Sequence, residues 1–220
     1  MRVEAFFGKR RLVASAMSII CALMLAGCTG LPFDKPPPPR LFVLTPKTTF
    51  PDNLPDVAWQ LTIDLPLAAA SLNTSRIAVH STDISLNYYD GVAWIDAATK
   101  MVQTLLIESF ENSRRILGVG RRSAALRADY NLITELRDFQ AELGNADAPE
   151  IRVTINAKLV RFPQRDIIAA TTRQAVVRTK DGTIEEVVRA FDDALGKVLE
   201  RIVSWTLEAA PPRPPPRLRR

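Results

Sequence analysis

The sequence predicts an α+β fold: a two-layer α/β arrangement with a mixed, mostly antiparallel sheet of about seven strands and two amphipathic helices packed on one face. Three observations carry this. Residues 59–65 alternate apolar and polar without a break, which puts Trp59, Leu61, Ile63 and Leu65 on one strand face. Residues 151–159 repeat the pattern and return through a turn at 163–165 into 166–177, as a long antiparallel hairpin does. Two further segments carry the helical period instead. Each strand has one apolar face and each helix one apolar stripe, so helices laid on a sheet bury both.

The chain opens on an export signal. Arg2, Lys9, Arg10 and Arg11 form a basic segment, residues 12–26 an apolar run, and Ala26-Gly27 the small side chains of a cleavage site. The apolar run is shorter than the roughly 20 residues that a membrane span needs. Arg10-Arg11 lacks the surroundings of a twin-arginine signal, which favours general secretion. Leu25-Ala26-Gly27-Cys28 reads as a lipobox, so residues 1–27 are expected to leave and Cys28 to become an acylated amino terminus. Several acyl chains, at about 0.8 kcal/mol per buried methylene, give durable anchoring. Thr29 stands where an aspartate would mark retention at the inner membrane, which favours the outer one.

Residues 28–40 form a Pro-rich linker with Pro36 to Pro39 in series, a spacer rising about 3.1 Å per residue where extended. The domain is expected over 41–210, and residues 211–220 form a disordered Pro/Arg-rich tail. Within the domain, strands are expected at 41–44, 59–65, 76–80, 84–89, 130–139, 151–159 and 166–177. The run at 130–139 changes phase between Leu136 and Phe139, as a bulge requires. Tyr88, Tyr89 and Trp94 gather where a strand turns into the first helix through Asp90-Gly91, and core packing outweighs a ligand pocket there.

The first helix carries Trp94, Ala98, Met101, Val102, Leu105 and Phe110. Gly118-Val119-Gly120 behind it reads as a helix cap and turn, badly placed to cradle phosphate. The second helix carries Ile184, Val187, Val188, Phe191, Leu195, Val198, Leu199 and Ile202, and Thr183 with Glu186 predicts a capping box at its start.

Charge and cysteine usage exclude several classes of function. The formal charge of +5 includes four basic and one acidic side chain in the export segment, so the processed chain carries +2. Four arginines of the tail, Arg213, Arg217, Arg219 and Arg220, leave the body at −2, which is no nucleic-acid surface. Cys21 leaves with the signal and Cys28 is acylated, so no disulfide or thiolate metal site is expected. His80 is the single histidine and ends an apolar strand, which argues against a metal centre or a nucleophile–base relay. Asp192 and Asp193 point about 100° apart on a helix and read as a solvated face. Arg114, Arg115, Arg121 and Arg122 read as a solvated loop, with pairing to lipid phosphate or an acidic partner as the functional alternative. No catalytic residue, cofactor or metal is expected; Cys28 is the one site residue, as the lipidation site.

In this order the segments resemble the ABC-type transport auxiliary lipoproteins. The residues that carry the resemblance are Leu25-Ala26-Gly27-Cys28, the strand Leu41-Phe42-Val43-Leu44-Thr45-Pro46, and Ile63-Asp64-Leu65-Pro66 leading to Arg76-Ile77-Ala78-Val79. Tyr88 to Trp94, a helix with Met101, Leu105 and Phe110, then 132–144 with Phe139, the hairpin and the closing helix complete it. Ala93 and Phe42 depart from the family pattern, which often has a charged residue and a tyrosine there.

The resemblance implies a non-enzymatic component of envelope lipid trafficking, working beside ABC transporter subunits and a periplasmic MCE-domain protein. The chain would be its outer-membrane end, lipid-anchored in the inner leaflet and facing the periplasm, with a homo-oligomer left open. A lipid-binding carrier and, behind it, an envelope hydrolase are the alternatives.

Overall fold

In the computed structural model, residues 37–82, 84–124, 127–143 and 148–210 are described; the export segment, Cys28 and the tail lie outside them. Every element below belongs to the unit Pro39–Arg220. In chain order these are β1 (Arg40–Phe42), β2 (Val57–Ile63), β3 (Leu67–Ala68), β4 (Arg76–Thr82), β5 (Ser85–Trp94) and α1 (Ala98–Ser113). Then come β6 (Ile116–Arg121), a 3₁₀ turn (Arg122–Ala124), β7 (Tyr130–Glu142), β8 (Glu150–Arg161), β9 (Asp166–Arg178) and α2 (Ile184–Ala209).

The expected α+β class holds, and among the described residues nine strands form one sheet instead of about seven. The two additions are β3 and β6. β3 is two residues long and offers no period to read. β6 contains Gly118 and Gly120, poor strand formers by themselves, and is a strand because it pairs in parallel with β2 from Gln60↔Gly118 to Ile63↔Arg121. Tertiary pairing thus overrides the glycine signal, and the cap expected at Gly118-Val119-Gly120 lies earlier. Arg114 closes α1 in the left-handed region at φ 56°, its N–H donating to the Glu111 carbonyl at 3.1 Å.

β7 is the axis of the sheet. One edge pairs with β8 along its length, antiparallel, with a register shift between Leu136 and Asp138 where the phase change placed a bulge. The other edge takes β2, β3 and β4 in succession, all parallel. β8 and β9 form the expected hairpin, from Glu150↔Arg178 to Arg161↔Asp166. β5 runs on to Trp94 through an irregularity that contains Gly91 at φ 68°, so Asp90-Gly91 kinks a strand instead of turning it into a helix. Trp94 therefore ends β5, and α1 begins at Ala98.

The apolar periods meet in one core. Ile151, Val153, Ile155, Ala157 and Leu159 of β8 are fully buried, as are Val187, Phe191, Leu195, Val198, Leu199 and Ile202 of α2. Trp94, Phe139 and Phe191 bring β5, β7 and α2 together with ring centroids 5.0 to 5.7 Å apart, in tilted and edge-on contacts. Trp59, Leu61 and Ile63 are buried as the alternation requires, but Leu65 is 48 % exposed because β2 stops at Ile63.

α2 starts where Thr183 and Glu186 predicted, but not by a capping box. The Thr183 hydroxyl donates to Asp181 Oδ1 at 2.5 Å, and Glu186 is held by Arg189.

Residues 43–56 cross both helices as a strap whose Leu44 and Leu54 are buried. Lys47 fastens its middle: its N–H donates to Ser109 Oγ at 3.0 Å, its carbonyl accepts from Asn112 Nδ2 at 3.1 Å, and its ammonium lies 2.6 Å from Glu200.

Candidate functional site

Cys28, the expected lipidation site, lies outside the described residues, so the geometry concerns the body it would carry. Two cavities there gather charged side chains from the ends of paired strands, apart from the hollow between the strap and α2.

The first surrounds His80. β4 pairs with β7 in parallel, which sets His80 beside Glu142 and closes a cavity of about 420 Å³ with Thr82, Asp138, Gln140 and Arg152. Arg152 donates Nε to Glu142 Oε1 at 2.7 Å and Nη2 to Oε2 at 2.8 Å. These bonds hold the Glu142 carboxyl below the ordinary glutamate value, against the opposing effect of burial, and raise Arg152 further. The arrangement is a strut between β7 and β8, with His80 at its margin. Among the described residues, no group of three or more His, Cys, Asp or Glu side chains is placed to hold a metal ion.

The second cavity, about 450 Å³, opens where β2 and β6 end beside the first turns of α1. Its Asp64 is held from behind by a polar relay: the Thr62 hydroxyl donates to Asn131 Oδ1 at 2.8 Å, and Asn131 Nδ2 to Asp64 Oδ2 at 3.0 Å. Gln103 donates to the Ile63 carbonyl at 3.0 Å, fixing α1 to the end of β2. Arg121 is the last residue of β6 and donates Nη2 to Thr104 Oγ1 at 2.8 Å. Arg122 opens the 3₁₀ turn and lies 3.5 Å from Asp64 Oδ2.

The other residues singled out in the sequence go to separate places. The arginines expected in one solvated loop divide: Arg114 is the cap of α1, Arg115 reaches Asp56 at 3.1 Å and the Asp52 carbonyl at 2.9 Å, and Arg121 and Arg122 line the second cavity. Asp192 is not simply solvated, since it receives the strap at Thr45, whereas Asp193 pairs with Lys197 at 2.8 Å. Trp94 is core, while the Tyr88 hydroxyl donates to the Ser71 carbonyl at 3.2 Å beneath the Arg76 guanidinium. Burial raises the Tyr89 phenol above its ordinary value. The sequence does not mark Asn131, Asp64, Glu142 and Arg152, because each is a polar residue beside apolar neighbours in or at the end of a strand, where solvent is the default partner.

The model of the ABC-type transport auxiliary lipoprotein component family matches residues 42–203, from β1 into the last turns of α2. The chain belongs to this family. An uncharacterized protein of Bradyrhizobium diazoefficiens, bll6063, is 30 % identical over 165 residues, 72 % of this chain and 43 % of that protein. The chain thus spans less than half the length of that curated relative. The crystal structure of XCC0632 from Xanthomonas campestris is similar over 77 % of this chain and 95 % of its own, at 30 % identity and a TM-score of 0.73. A crystal structure of an uncharacterized protein shares the fold at 10 % identity and a TM-score of 0.60, covering 76 % of this chain and 97 % of its own. The auxiliary lipoprotein family is thus represented here by the nine-stranded sheet and two helices described above.

Proposed function

We propose that this auxiliary lipoprotein is held in the inner leaflet of the outer membrane by acyl chains on Cys28, palmitate among them, and docks a periplasmic MCE-domain protein of an ABC-type lipid transport system. The match to the family over residues 42–203 is the observation that carries this reading. The lipobox Leu25-Ala26-Gly27-Cys28 and the Pro-rich linker at 28–40 support it, as an anchor and a spacer in series. Confinement to one membrane raises the effective concentration of the domain toward its partner, so a weak interface suffices. The protein works as a non-enzymatic docking module, and the lipid passes through the partner.

Crosslinking in intact cells followed by mass spectrometry tests the docking. Recovery of MCE and transporter subunits is the expected result, and their absence from the crosslinked set overturns it. The anchor is tested separately by palmitate labelling and membrane fractionation. Wild type takes up label and follows the outer membrane, whereas Cys28→Ala takes up none and moves to the soluble fraction; identical behaviour of the two disproves the anchor.

A further inference from the structure

The cavity between α1 and the ends of β2 and β6 gathers three cations, Lys100, Arg121 and Arg122, against two carboxylates, Asp64 and Asp96. Consecutive residues of a strand point to opposite faces, so two neighbouring arginines ordinarily diverge. Here the strand stops at Arg121 and the 3₁₀ turn begins at Arg122, and both side chains line the same hollow.

Their pairing is loose. Lys100 lies 3.6 Å from Asp96 and Arg122 lies 3.5 Å from Asp64, whereas Arg40–Glu185, Lys47–Glu200 and Arg178–Glu150 close to 2.6 Å. Asp64 is drawn inward by Asn131, which spends part of its acceptor capacity on the buried relay. Arg121 makes its cavity contact with a neutral hydroxyl, that of Thr104. The Arg122 guanidinium is also stationed 5.7 Å from the Phe162 ring, which limits its wandering. Positive charge is thus assembled and held but only partly neutralised, and guanidinium forks match the oxygens of a phosphate. The Ser123 side chain and the half-exposed Leu65 complete the wall, one a hydroxyl donor, the other an apolar rim.

We propose that this cavity binds a phosphate group, clamped by Arg121 and Arg122 with Lys100 as the third cation. The phosphate is carried either as a free anion or as the diester of a lipid headgroup, whose ammonium, where present, meets Asp96. The proposal does not depend on the anchor at Cys28.

The test uses the full-length protein in maltoside micelles, titrated with inorganic phosphate and, separately, with glycerophosphoethanolamine, while the arginine Nε–H resonances are followed by NMR. Saturable shifts at Arg121 and Arg122 are expected. Response to phosphate alone assigns the free anion, and response to the diester assigns the headgroup. Arg121→Gln with Arg122→Gln weakens binding by about tenfold or more, the effect of losing charge-assisted bonds. Arg121→Lys keeps the charge and loses the fork, so it weakens binding less and keeps the site testable if the double variant unfolds. Arg178→Gln, remote from the cavity, leaves binding unchanged. No saturable shift with either probe, or equal weakening by Arg178→Gln, overturns the proposal.

Discussion

Thr45 and Asp192 are joined by a two-pronged clip: the Thr45 backbone N–H donates to Asp192 Oδ1 at 2.6 Å and its hydroxyl to Oδ2 at 2.9 Å. The strap that crosses the helices is thereby fixed to α2, and the neighbouring Asp193 takes no part in it. Asp192→Ala is expected to destabilise the domain by about 1 to 2 kcal/mol, the range for hydrogen bonds to a charged group after partial solvent exposure. Asp193→Ala, which removes an exposed i,i+4 pair with Lys197, costs about 0.5 kcal/mol or less. Urea unfolding of the two variants side by side measures the difference, and equal losses would show that the clip is inert.

Phe191 is fully buried between Trp94 and Phe139. Phe191→Ala is expected to cost about 3 to 5 kcal/mol through lost transfer energy and the cavity left behind. Leu65→Ala, at a half-exposed position beyond the end of β2, costs under about 1 kcal/mol. Thermal melts separate them by about 2 to 4 °C for each kcal/mol in a domain of this size.

Asn131 is buried and bridges Thr62 to Asp64. Asn131→Ala strips both of a partner and is expected to cost about 1 to 3 kcal/mol. Asn131→Asp is worse, because it takes the amide donor from Asp64 and sets a second negative charge beside it. Urea unfolding at neutral pH ranks the two variants, and a loss for Asn131→Asp no larger than for Asn131→Ala would sink this order.

The Arg152 hydrogen bonds hold the Glu142 carboxyl below the ordinary glutamate value of 4.5. Because the folded-state value is depressed, the contribution is fully present above the ordinary value and is lost as pH falls through the folded-state one. Glu142→Gln is therefore expected to flatten the acid limb of the stability profile while lowering neutral-pH stability by about 1 kcal/mol or less. Denaturation midpoints across an acid series check this, and an unchanged acid limb would remove Glu142 from it.

Much of this architecture is legible from residue periods. Ile151 to Leu159, Trp59 to Ile63 and the α2 stripe sit where alternation and the helical period place them, because one buried face leaves each of these segments little choice. What escapes is decided by neighbours far along the chain. Gly118 and Gly120 become strand only through β2, and Trp94 stays in β5 because its N–H donates to the Ser75 carbonyl at 2.7 Å. Thr183 and Glu186 mark the start of α2 correctly for a different reason, since Asp181 and Arg189 compete for their side chains. The two cavities were illegible for the same cause: Asp64 with Arg122, through β2 and β6, and His80 with Glu142, through β4 and β7, are brought together by parallel pairings whose register no local pattern announces.

Arg40 and Thr45 are fastened to Glu185 and Asp192, partners 145 and 147 positions further along, and Lys47 to Glu200 beyond them. A polypeptide that emerges amino terminus first can set its opening strand against β5 and its strap against α1 before the closing helix is made. The contacts of Arg40, Thr45 and Lys47 with α2 form only when that helix arrives, so the earliest-made segment of the domain completes its fastening last.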